Sequence, residues 1–148
     1  DNVESRGLGD VYKRQLLRSR LCASTPAQVG YLAGLEQDRG WMETYSERVL
    51  RRRDHCLKRI AQIDGLEVEQ PGGAFYMFVR LTDERWANDD KAFVLQLLHE
   101  EHVLLVHGSG FSPQLGKGHV RLVYLVTLEV LDEVFDRIER FLKKHRGH

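Results

Sequence analysis

Cysteine is nearly missing. Cys22 and Cys56 are the only two in 148 residues, and they form no CxxC pair. That argues against a disulfide-stapled scaffold or a thiolate metal cluster, and it suits a reducing cytoplasm. An excess of either charge is missing too: 22 basic residues face 22 acidic ones, for a formal net charge of zero. Such a balance leaves no electrostatic footprint for nucleic acid or an anionic membrane. No apolar run approaches the roughly 18 residues that a spanning helix needs. The opening Asp1 to Gln15 is polar and does not read as a signal peptide.

Signatures of catalysis are scarce as well. There is no HExxH, and His99 and His102 sit three apart without an acidic partner at a diagnostic spacing, so no metal site is expected. No GxSxG nucleophile elbow is present. HGSGF (His107 to Phe111) follows a strand-like run, but it matches neither GxxxxGK[ST] nor GxGxxG, and Pro113 interrupts any helix that would follow. It reads as a plain flexible loop. Cys56 falls on an apolar helical stripe and reads as core.

What is present is the text of one globular domain, long enough to bury roughly 70% of its unfolded surface. Residues 1–15 show no sustained period and read as loop or disordered. Ser24 and Thr25 before Pro26 signal a helix start, and a short helix is expected over Pro26 to Leu35 with Val29, Leu32, Ala33 and Leu35 on its apolar side. A longer helix is expected over Trp41 to Ile63, with Tyr45, Val49, Cys56, Ile60 and Ile63 at helical steps. The run Arg51 to Asp54 inside it reads as a solvated face.

The spacing then predicts strands over Leu66 to Glu69 and Ala74 to Leu81, joined by a Pro71-Gly72-Gly73 turn. A helix follows over Asp90 to Glu101, capped by Asn88 or Asp89, with Phe93, Val94, Leu97 and Leu98 as its stripe. Strands are expected over Val103 to Val106 and Val120 to Val126. A last helix over Leu128 to Lys144 carries Leu131, Val134, Phe135, Ile138, Phe141 and Leu142 inward. The order α-α-β-β-α-β-β-α describes an α/β (α+β) domain: a small mixed sheet of about four strands covered by helices.

Arg121, within Val120 to Val123, has two readings by spacing alone. It is an exposed strand arginine, or its guanidinium fork grips a carboxylate.

Four segments in order change that balance: RLCASTPAQ (Arg20 to Gln28), PGGAFYMF (Pro71 to Phe78), VLLVHGSGF (Val103 to Phe111) and HVRLVYL (His119 to Leu125). Together they resemble the C-terminal small domain of class I/II, fold-type I aminotransferases, most closely the alanine aminotransferase-like branch. The resemblance covers Leu16 to Lys144. It implies an enzyme that uses pyridoxal 5'-phosphate to move an amino group between an amino acid, such as alanine or glutamate, and a 2-oxo acid. It implies that Arg121 binds the substrate α-carboxylate and that Phe75 lines the substrate side. The Gly108 to Phe111 loop, with Gly108 and Ser109, would shape the pocket. Ser24 and Thr25 would approach the partner's active site in a homodimer.

The family's Schiff-base lysine, in a Ser-rich motif resembling SxSK, has no counterpart here; Lys13 lies in GDVYKRQ. The expectation is therefore a fragment that is inactive alone and binds no cofactor tightly. Residues 1–15 resemble nothing in the family and read as non-native sequence, leaving 16–148 as the domain. A non-catalytic amino-acid-binding module and a pure interaction module are the alternatives.

Overall fold

A computed structural model describes Val11, residues 13–15 and residues 23–146, in two compact units, Asp1–Trp41 and Met42–His148. In the first unit Val11 and residues 13–15 are helical, where the sequence reads as loop. Lys13, Arg14 and Gln15 are good helix formers, and local propensity is enough for one turn. Cys22 lies outside the described residues.

Helix α1 spans Thr25–Glu36. The Ser24 hydroxyl accepts the Ala27 N–H at 3.3 Å, and Pro26 sits in the first turn, where its missing N–H costs nothing. Val29, Leu32 and Leu35, expected as a packed side, are all at least half exposed. The helix forms on its cap and propensity, not on a buried stripe.

Helix α2 spans Gly40–Ile60 and ends before the expected Ile63, because residues 61–63 tighten into a turn. There the N–H groups of Gln62 and Ile63 reach back to Arg59 and Ile60, three residues earlier. Cys56, Ile60 and Ile63 are buried, but Tyr45 is 45% exposed. The Arg51 to Asp54 run is only partly a solvated face. Arg52 is half-buried and donates to the Leu125 carbonyl at 2.8 Å.

The remaining elements are β1 (Leu66–Val68), β2 (Tyr76–Leu81), α3 (Glu84–Asn88), α4 (Asp90–Glu101), β3 (Val106–His107), β4 (His119–Val123) and α5 (Leu128–His145). Helix α3 has no signature in the sequence, since five residues carry no readable period. Asp83 caps it, and it buries Trp86 to 1% exposure. Strand β2 begins at Tyr76 because Ala74 takes a left-handed φ of 63°. Strand β4 stops at Val123, where its partner runs out, instead of Val126. Val103 and Leu105, inside the expected strand, are buried, but they precede the ladder, which starts at Val106.

The α/β (α+β) class holds, with four strands in the order β1-β2-β4-β3. All three ladders are antiparallel, where a mixed sheet was expected. Strands β2 and β3 do run parallel, as a helical crossover requires, but β4 inserts between them and opposes both.

Along β2 burial alternates strictly: Met77, Val79 and Leu81 face inward while Tyr76, Phe78 and Arg80 face out. Val120 and Leu122 of β4 join the inward set. That face meets α2, α4 and α5 in one apolar cluster that includes Phe93, Leu97, Phe135 and Phe141. Each such side chain contributes roughly 1.5–3 kcal/mol on burial. Helices α2, α4 and α5 lie on this face. None of these three packs on the other face of the sheet, which carries Arg121.

Candidate functional site

The two-residue period of β4 decides where Arg121 goes. With Val120 and Leu122 in the core, Arg121 must point to the open face. Its direct neighbours across the ladders are Phe78 on β2 and Val106 on β3. Opposed residues share a face, so an aromatic ring and a branched aliphatic chain flank the arginine.

Two further rings complete the surroundings. The guanidinium carbon lies 4.7 Å from the centre of the Phe111 ring and 5.4 Å from that of Tyr76. Phe111 also packs edge-on against Phe78, with centroids 5.5 Å apart. A cation held against aromatic faces gains roughly 0.5–2 kcal/mol, more as water is excluded.

Arg121 Nε is buried and has no hydrogen-bond partner. Among the described residues no carboxylate lies within ion-pair distance of this side chain. Arg59, Arg80, Arg137 and Arg140 all have one. A half-buried guanidinium without an anion is costly to maintain, and its free in-plane N–H groups match the two oxygens of a carboxylate.

The loop that brings Phe111 here is built on glycine. Gly108–Gly110 forms one 3-10 turn, and the Phe111 N–H donates to the Gly108 carbonyl at 2.9 Å. The backbones of Gly108 and Gly116 touch, so a Cβ on either would overlap the other's carbonyl. Ser109 donates its N–H to Asp90 Oδ2 at 2.7 Å, and its hydroxyl lies 3.0 Å from His107 Nδ1. The segment that reads as a plain flexible loop is a packed and bonded turn.

Phe75 stands just before β2, 44% exposed, with its ring edge-on to Tyr76 at 5.7 Å. Its carbonyl accepts the Tyr124 N–H at 3.1 Å. The buried Tyr124 hydroxyl donates to Ala74 at 3.1 Å and supports that residue's left-handed backbone.

The second unit thus contains Arg121, Phe75, Gly108 and Ser109. The rings that touch the arginine, however, are Tyr76 and Phe111. Period two along β2 would have found Tyr76, since it puts Tyr76 and Phe78 on one face. Only the fold of the turn reveals Phe111. In the first unit Ser24 and Thr25 are exposed at the start of α1. Among the described residues no cluster of His, Cys, Asp and Glu suits a metal ion, and no helix is long and apolar enough to cross a membrane.

Known proteins share this arrangement of elements. The family model for aminotransferases of class I and II matches residues 13–138. The glutamate-pyruvate aminotransferase AlaA of Haemophilus influenzae is 34% identical over 138 residues, which is 88% of this chain and 33% of that protein. An aspartate aminotransferase of Thermotoga maritima is 38% identical over 122 residues, covering 82% of this chain and 29% of the relative. Among solved structures, the alanine aminotransferase from Pyrococcus furiosus superposes with a TM-score of 0.80 and 44% identity, over 88% of this chain and 33% of that one. The chain spans about a third of the length of these relatives. Fold, sequence and coverage agree: this chain belongs to the class I and II aminotransferases and corresponds to part of such an enzyme.

Proposed function

We propose that this chain is the carboxylate-gripping part of an enzyme that transfers an amino group between an amino acid and a 2-oxo acid, with Arg121 as the clamp. The observation that carries this reading is the half-buried guanidinium of Arg121, set among Phe78, Tyr76 and Phe111 with no anion of its own. Two parallel N–H groups bind the two oxygens of the substrate α-carboxylate. The rings hold the guanidinium plane, so the rest of the substrate is held in one orientation. A lysine at this position would offer a point charge and fix orientation less well.

Phe75 would line the substrate side, and Gly108 and Ser109 would shape the carboxylate end of the pocket. Ser24 and Thr25 would face the partner subunit in a cytoplasmic homodimer. Alanine or glutamate, with pyruvate, is the substrate class that the relatives' names suggest, and 2-oxoglutarate is the 2-oxo acid that loss of the amino group makes from glutamate.

Pyridoxal 5'-phosphate is the cofactor the family implies for the whole enzyme, where it supplies the carbonyl that accepts the amino group. The open sheet face fits a carboxylate and not this group, since none of β2, β3 and β4 carries a lysine amine. The chain alone is expected to be inactive and to hold the cofactor weakly. Residues 16–148 would then be the small domain of the enzyme.

The test is Arg121→Ala in a complete enzyme carrying this domain. The expected loss in kcat/KM is about 2–5 kcal/mol, with cofactor binding retained. A kcat/KM within about twofold of wild type would rule the clamp out. If the chain alone binds alanine or glutamate tightly while Arg121→Ala leaves the complete enzyme's kcat/KM unchanged, a non-catalytic binding module is the better account.

A further inference from the structure

Asp90 is the one charged side chain buried among the described residues, at 3% exposure, and the amino-transfer reading gives it no role. Burying a carboxylate costs several kcal/mol unless it is bonded to a specific partner. Here that partner is 19 residues away: Asp90 Oδ2 accepts the Ser109 N–H at 2.7 Å. Asp90 opens α4, whose Phe93, Val94 and Leu97 are embedded in the core, so the acceptor is anchored. Ser109 is the middle residue of the 3-10 turn, which ends at Phe111.

Phe111 itself is 52% exposed, so packing alone does not fix its ring. Its placement 4.7 Å from the Arg121 guanidinium depends on the turn beneath it. That turn is held on one side by the Gly108–Gly116 contact and on the other by Asp90.

We propose that Asp90 is a positioning residue for carboxylate binding: its buried carboxylate holds the Ser109 N–H and so keeps Phe111 over Arg121. The proposal rests on Arg121 being the carboxylate clamp. Asp90 touches no substrate in this scheme. It acts through the turn, keeping the guanidinium plane set before a carboxylate arrives.

The experiment uses the 148-residue chain, 15N-labelled, with pyruvate as the probe. The Arg121 Nε–Hε resonance reports the ring above it, and titration gives the pyruvate Kd. Phe111→Ala is expected to move that resonance and to raise Kd about fivefold, the scale of one cation–ring contact. Asp90→Ala should do both to a similar extent, with the methyl resonances of Leu97 and Ile138 unmoved. Asp90→Asn keeps an acceptor oxygen and should restore most of both. Added to Phe111→Ala, the Asp90→Ala change should cost less than about twofold more, because its effect runs through that ring. If Asp90→Ala does not fold, Asp90→Ser replaces it, being too short to reach Ser109.

A folded Asp90→Ala chain that keeps the resonance in place and Kd within about twofold, while Arg121→Gln abolishes binding, overturns the role of Asp90 alone. So does a full additional loss in the Phe111→Ala background. A pyruvate response that is absent, or that persists in Arg121→Gln, overturns the clamp reading and this proposal with it.

Discussion

A methyl group has no room on Gly116, where a Cβ would meet the Gly108 carbonyl and approach the Ser112 carbonyl to 2.9 Å. Both obstacles are backbone and cannot swing aside. Gly116→Ala is therefore expected to cost about 1–3 kcal/mol, with Tm falling by several degrees in a thermal melt. Gly72→Ala is the control, since nothing lies within 4 Å of its would-be Cβ, and its Tm should hardly change. Equal melts for the two variants would contradict the packed turn. The same residues mark a boundary of sequence reading. Four glycines from Gly108 to Gly118 suggest looseness, but Gly108 and Gly116 are required because two backbones meet. Arg121 has the opposite history. Its neighbours in sequence suggest a surface residue, and only the rings brought from β2 and the 108–111 turn make its surroundings special.

Two helices are tied together by charge at one end of the helical layer. Glu100 of α4 meets Lys144 and His145 of α5 at 2.8 and 2.9 Å, and Glu101 meets Arg140 at 2.6 Å. The Lys144 ammonium, then His145 and Gln96, hold the Glu100 carboxyl at about 2, well below its ordinary 4.5. A carboxyl lowered in the folded state stabilises the fold fully above its ordinary value, and that contribution is lost as pH falls towards the lowered one. Stability is thus expected to decline as pH drops from 4.5 towards about 2. Glu100→Gln should flatten this decline, measured as urea midpoint against pH, while barely changing its shape above pH 6 (about two units clear of a carboxyl's ordinary range). An unchanged acid slope in the variant would rule out the clamp between α4 and α5. The helices themselves are legible from their stripes, since α5 buries all of its expected residues except the half-buried Val134. Their mutual ion pairs are not legible, because 44 residues separate Glu100 from Lys144.

At the scale of the whole second unit, helices α2, α4 and α5 lie on one side of the sheet and do not cover the other. Phe75, Tyr76, Phe78, Phe111 and Val123 are each more than a third exposed there. An apolar patch of this kind favours association. The isolated chain is expected to self-associate weakly, with a sedimentation coefficient that rises with concentration, and a value that stays monomeric at every concentration would count against a sticky face. The covered side is tested by Cys56, which is fully buried. Burial, with Asp132 nearby, pushes its thiol up to about 12. The reactive thiolate is then scarce and shielded at neutral pH. In a Cys22→Ser background, a disulfide reagent should leave the native chain unmodified and react with about one thiol per chain after denaturation. Prompt reaction in native buffer would contradict the core as described.

The sequence by itself determined the longer helices and strands, the buried side of β2 and α5, and through four ordered segments the family; it misjudged α1, whose expected apolar side is exposed, and Leu98 of α4, which is 37% exposed. What it determined follows from periodicity, caps and local text, which are properties of neighbouring residues. Short elements were the harder ones for the same reason: the five residues of α3 are too few to show a period, and the strand expected over Val103 to Val106 pairs only over Val106–His107. The tertiary structure alone decided that the sheet is antiparallel throughout, that its arginine lies on the face turned away from α2, α4 and α5, and that Tyr76 and Phe111, with Asp90 behind the turn, surround Arg121. Those features depend on contacts between residues tens of positions apart, and no local pattern carries them.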